Sequence, residues 1–130
     1  MPWVEVFVVL YVSHQVGDYV LQTEWQAVNK RGGLSTGSPR ARSALLQHTL
    51  SYTLSFVPAL VWLADGLAVA VGLAALIAIP HMIQDDGQLL TAFAARAKKA
   101  DLARNPGLGA ALDQALHIVA LFLTALVAGS

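Results

Sequence analysis

The sequence predicts an all-α integral membrane protein, a bundle of four transmembrane helices. Three observations predict it. Apolar residues make up 56% of the 130-residue chain and charged residues only 12%, where a soluble domain carries roughly a quarter charged. Mean hydropathy is +0.59, more apolar character than a small soluble core can hide. Four segments approach the roughly 20 apolar residues that a membrane crossing requires.

The first span is expected over about residues 3–22. It has no basic leading region and no small-residue cleavage site, so it reads as a retained helix rather than a signal peptide. Residues 23–43 are loop chemistry, with Asn29-Lys-Arg-Gly-Gly and Thr36-Gly-Ser-Pro-Arg. The second span is expected over 44–64, and Asp65-Gly66 makes a tight turn into the third, over 67–86. Pro80 should kink that helix. In 88–105, Leu89, Leu90, Phe93, Ala94 and Ala97 fall at helical spacing among Arg96, Lys98 and Lys99. That pattern predicts an amphipathic helix on the membrane surface. Asn105-Pro106 then starts the fourth span, 108–128. The four spans form one domain over residues 1–130.

Orientation follows from the eight Lys and Arg residues. Lys30, Arg31, Arg40 and Arg42 lie between spans one and two, and Arg96, Lys98, Lys99 and Arg104 between spans three and four. The positive-inside rule places both segments in the cytoplasm and both termini outside. Trp3, Trp25 and Trp62 fall near the expected interfaces, and Glu5 near the outer one. Asp65 and Asp101 read as turn and surface residues. Zero net charge argues against a nucleic-acid partner. The absence of cysteine removes disulfides, thiolate ligands and Cys nucleophiles.

The polar residues inside the spans carry the chemistry. Span one has His14 and Asp18, span two His48, span three His81, Asp85 and Asp86, and span four Asp113 and His117. His14/Asp18, His81/Asp85 and Asp113/His117 are i, i+4 pairs, which share a helix face. With the orientation set by Lys and Arg alone, all of these groups fall at a similar depth near the cytoplasmic side. Ionisable side chains in the bilayer cost a few kcal/mol each on insertion scales and mark function. His14, Asp18, His48, His81, Asp85, Asp113 and His117 are therefore the candidate metal ligands. Asp18, Asp85 and Asp113 are the candidate catalytic carboxylates. Imidazole with carboxylate suits a divalent transition metal, Zn²⁺ first, with Mn²⁺ or Fe²⁺ as alternatives. One ion backed by orienting carboxylates and a two-ion site are both compatible with this many groups. Gly17 permits close helix approach beside Asp18. Gln22, Gln47, Gln84 and Gln114 lie at or beside the same layer, Asp86 at a helix end, and Glu24 just past span one.

At these residues the chain resembles a bacterial membrane-protein family known as domain-of-unknown-function family 3307. The resemblance runs through His14-Gln-Val-Gly-Asp-Tyr-Val-Leu-Gln-Thr23, followed by Glu24-Trp25 and Asn29-Lys30. It continues through His48, through His81 and Asp85, and through Asp113-Gln114 with His117. The family's third motif continues with aromatic and basic residues, where this chain has Asp85-Asp86-Gly87. The resemblance implies a shared fold and site in the bacterial inner membrane. Its pattern is also similar to small membrane proteins described as metal-dependent hydrolases.

Three functions are open at this point. A membrane metal-dependent hydrolase would act on a lipid ester, amide or phosphodiester beneath the cytoplasmic headgroups. No Gly-x-Ser-x-Gly motif is present for a serine hydrolase. Transport or sensing of a metal ion or proton is the alternative, opposed by the apolar outer halves of the spans. A bis-His haem protein is the third, opposed by the layer of carboxylates. Membrane lipids are the expected partners, and a homodimer suits so small a bundle.

Overall fold

The computed structural model describes residues 1–129, and they are all-α. Helix α1 (Trp3–Gln15) continues without a break into a π-helical segment (Val16–Leu21). Gln22 turns extended and ends it. Thr23 then starts α2 (Glu24–Asn29) with a capping box. Its hydroxyl accepts from the Gln26 N–H at 3.2 Å, and the Gln26 side chain accepts from the Thr23 N–H at 3.1 Å.

The expected second span is two helices, α3 (Pro39–Ser55) and α4 (Val57–Leu63), separated at Phe56. The cause is Pro58, which has no N–H to give the Leu54 carbonyl, so the turn tightens and the Phe56 N–H donates to Thr53 at 3.0 Å. α3 also begins earlier than expected. Ser38 caps it by accepting from the Ala41 N–H at 3.2 Å, with Pro39 at the first position. Arg40 and Arg42 therefore sit in a helix rather than a loop.

Gly66 (φ +95°) opens α5 (Leu67–Asp86). The expected kink is not a break: α5 stays helical through Pro80, as membrane helices tolerate. Gly87, at φ +83°, closes α5 and opens α6 (Gln88–Ala97). A helix is thus present where the amphipathic pattern predicts one, burying Leu90 and Ala94 and exposing Leu89 and Phe93. Asn105 caps α7 (Pro106–Ala128) by accepting from the Leu108 N–H at 3.1 Å.

α1 packs on α7, α7 on α5, α5 on α3, and α3 on the π-helical segment. Val6, Leu10, Phe56, Ala59, Leu73, Ile77, Leu121 and Ala125 form the apolar core. Outside it, Leu67, Val61 and Val127 are 80%, 78% and 73% exposed. An exterior of this kind suits lipid rather than water. Among the described residues, three helical stretches are long and apolar enough to cross a membrane: Trp3–Leu21, Leu67–Asp86 and Pro106–Ala128.

Candidate metal centre

Four elements deliver polar side chains to one buried point. The π-helical segment supplies Asp18. Its wider turn follows Gly17, where a Cβ would lie 2.6 Å from Tyr52 Cδ2 and 2.9 Å from Ser55 Oγ. Only glycine lets this segment lie so close against α3. π-Helical turns of this kind occur often at functional sites. α3 supplies His48, with Tyr52 one turn on. α5 supplies His81 and Asp85, and α7 supplies Asp113, Gln114 and His117.

The convergence is tightest at Asp18, His48, His81 and Asp85, all 6% exposed or less. One donor atom from each lies within 4.8 Å of the others. Asp85 Oδ2 is 3.1 Å from His48 Nε2 and 2.9 Å from His81 Nε2. Asp18 Oδ1 is 3.1 Å and 3.7 Å from the same two nitrogens. The two Nε2 atoms are 3.0 Å apart. Ligands bonded at about 2.0–2.2 Å to a tetrahedral metal stand about 3.3 Å apart. The spacing here is of that size.

Unmet polar atoms give the same indication. Asp18 Oδ1 is buried without a hydrogen-bond partner, as is His117 Nε2. The Nδ1 atoms of His48 and His81 are also unpartnered, and an ion held by the two Nε2 atoms would leave them so. Buried polar groups are ordinarily satisfied, and a cation at the convergence would satisfy Asp18 Oδ1. The donor set fits a divalent metal.

His14 sits beside this point rather than in it, and both its ring nitrogens are engaged. The Tyr52 hydroxyl pairs with Nδ1 and Gln114 Oε1 with Nε2, each at 3.0 Å. Gln114 Oε1 can only accept, so Nε2 carries the proton and Nδ1 accepts from Tyr52. Gln114 Nε2 donates onward to Asp18 Oδ2 at 3.3 Å. Tyr52, His14 and Gln114 thus form one hydrogen-bonded chain that orients Asp18. The Tyr52 ring also stacks on His81, with centroids 3.4 Å apart and planes 8° from parallel.

His117 donates from Nδ1 to the Asp113 carbonyl at 2.6 Å, and its Nε2 lies 3.3 Å from Asp85 Oδ1. Asp113 is half-buried at the rim, its carboxylate 3.8 Å from His117 Nδ1. Asp85, Asp113 and His117 make a second group of convergent donors.

Lys30 and Tyr52 are site residues that the sequence reading missed. Lys30 Nζ lies 2.9 Å from Asp85 Oδ2. In the sequence Lys30 bears on topology and on the Asn29-Lys30 pair of the family resemblance, and nothing in its spacing ties it to Asp85. Tyr52 had a signal, four residues after His48 on the same face. Asp86 is not an exposed helix end. It accepts from the Leu34 and Ser35 N–H groups and the Ser35 hydroxyl at 2.8, 3.1 and 3.0 Å, pinning the loop after α2. Glu24 is exposed at the start of α2. No curated protein and no solved structure matches this chain. A family profile does match, over residues 6–129, and the chain belongs to that family, described as protein of unknown function (DUF3307).

Proposed function

We propose that this protein is a membrane-embedded metal-dependent hydrolase acting on a lipid-type substrate near the cytoplasmic leaflet. The observation that carries the reading is the convergence of Asp18, His48, His81 and Asp85 on one buried point at metal-ligand spacing. In this reading α3 and α4 together make the fourth crossing, and the basic segments face the cytoplasm. The four residues hold the ion, Zn²⁺ by preference, with Mn²⁺ or Fe²⁺ as alternatives. A bound metal of this class lowers the pKa of its water and polarises a carbonyl or phosphoryl oxygen. Tyr52, His14 and Gln114 fix the orientation of Asp18, as outer partners of metal ligands do. Asp113, half-buried beside His117, is assigned to the substrate-facing side of the site.

Geometry disfavours the other readings. Bis-His ligation puts two imidazole nitrogens about 4 Å apart across a metal, with bonds of about 2 Å. His48 and His81 are 3.0 Å apart at Nε2 and cannot flank a porphyrin. Transport needs polar groups beyond the site. There the core is Val6, Leu10, Phe56, Leu73 and Ile77, and the Ser13 and Thr124 hydroxyls bond backbone carbonyls.

The test is hydrolysis of a panel of lipid esters, amides and phosphodiesters by detergent-purified protein. Chelator-sensitive turnover, restored by metal and lost in His81→Ala, is expected. Turnover that survives both chelation and His81→Ala would exclude the mechanism.

A further inference from the structure

We infer a second cation position, bridged to the first through Asp85 and open to a cavity beneath α6. The inference rests on the metal-centre reading above and deepens it. The two oxygens of Asp85 face different partners. Oδ2 faces His48 and His81, and Oδ1 faces His117 Nε2 at 3.3 Å. His117 is 2% exposed and its Nε2 has no hydrogen-bond partner. The Nδ1 proton is committed to the Asp113 carbonyl, at 2.6 Å. That bond fixes the tautomer of the neutral ring, so the Nε2 lone pair points at a carboxylate oxygen. A neutral ring and a carboxylate facing each other in a buried site call for a proton or a metal cation between them, and the third donor beside them favours the metal. Bonds of about 2.1 Å to both atoms span the gap at close to the tetrahedral angle. Asp113 offers a third donor, one ligand atom from each of Asp85, Asp113 and His117 lying within 4.8 Å of the others.

The two positions differ in what surrounds them. The first has four protein donors, all buried. The second has three, and Asp113 lines a cavity of about 220 Å³ shared with Gln84, Leu89, Leu90, Phe93 and Leu116. Three protein ligands leave the second ion a free position, where a substrate oxygen meets the pair of ions. The cavity wall is the apolar side of α6, so its occupant is an amphiphile. Its acyl portion lies against Leu89 and Phe93, and its polar group reaches Asp113.

Mn²⁺ titration of the full-length, metal-stripped protein in detergent tests this, with bound metal counted and electron paramagnetic resonance recorded. About two equivalents and an exchange-coupled signal are expected for the wild type. His117→Gln and Asp113→Asn should each retain about one equivalent, with an uncoupled six-line signal. The paired variants guard against loss through misfolding. One equivalent in the wild type, unchanged in both variants, would overturn the second position and leave the first intact. No binding at all would overturn both.

Discussion

His48 Nε2 and His81 Nε2 stand 3.0 Å apart with Asp85 Oδ2 within 3.1 Å of each. They come from α3 and α5, so the packing of two helices sets the spacing. Lys30 Nζ shares the same oxygen at 2.9 Å. A divalent ion bound there would compete with the ammonium for that carboxylate. Lys30→Gln should therefore lower the melting temperature of metal-free protein and raise its metal affinity, because a buried carboxylate loses its partner and the ion loses a repulsion. Thermal unfolding with and without metal checks both signs. The gain in melting temperature on loading should be larger in the variant.

Tyr52→Phe separates two roles of one side chain. The variant keeps the ring stacked on His81 and loses the hydroxyl that orients His14. Stability should fall by about 1 kcal/mol, and metal affinity by about tenfold or more, as when outer partners of a metal site are removed. A competitive chelator titration measures the second. Tyr52→Ala, which also removes a fully buried ring, should cost several kcal/mol, on the order of other aromatic deletions.

Gly17→Ala tests whether the π-helical segment must lie against α3. The added methyl meets the Tyr52 ring at 2.6 Å and its Cα at 3.3 Å. Overpacking of this kind costs about 1–3 kcal/mol. Because Asp18 is the next residue, bound metal should fall along with thermal stability. An alanine variant that binds metal normally would show that Asp18 does not depend on this contact.

Asp86→Ala should leave metal content unchanged while freeing two backbone N–H groups at Leu34 and Ser35. Hydrogen exchange should rise at residues 32–36, with little change in α5. Loss of metal in this variant would place Asp86 in the site rather than in the loop.

The sequence showed the site better than its surroundings. The i, i+4 spacing marks His81 and Asp85 as one face, whereas Asp18 and His48 join them only through the common depth expected once charge sets the orientation. The role of His14 was not readable. Its spacing to Asp18 is ligand-like, but its nitrogens are taken by Tyr52 and Gln114 from two other helices. Lys30 was hidden because its reach to Asp85 spans 55 positions. The break at Phe56 could have been read from Pro58, which sits well inside the span expected over 44–64. The π-helical turn has no such marker beyond Gly17.

Metal content tests the central claim most directly. Protein purified without a histidine tag should be measured by elemental mass spectrometry beside His81→Ala, both after reloading with Zn²⁺, Mn²⁺ and Fe²⁺. At least about one equivalent of a transition metal is predicted in the wild type, with loss in the variant. Wild-type protein that is folded and carries no metal above background would contradict the account, and the His/Asp layer would then be a polar network holding the helices together.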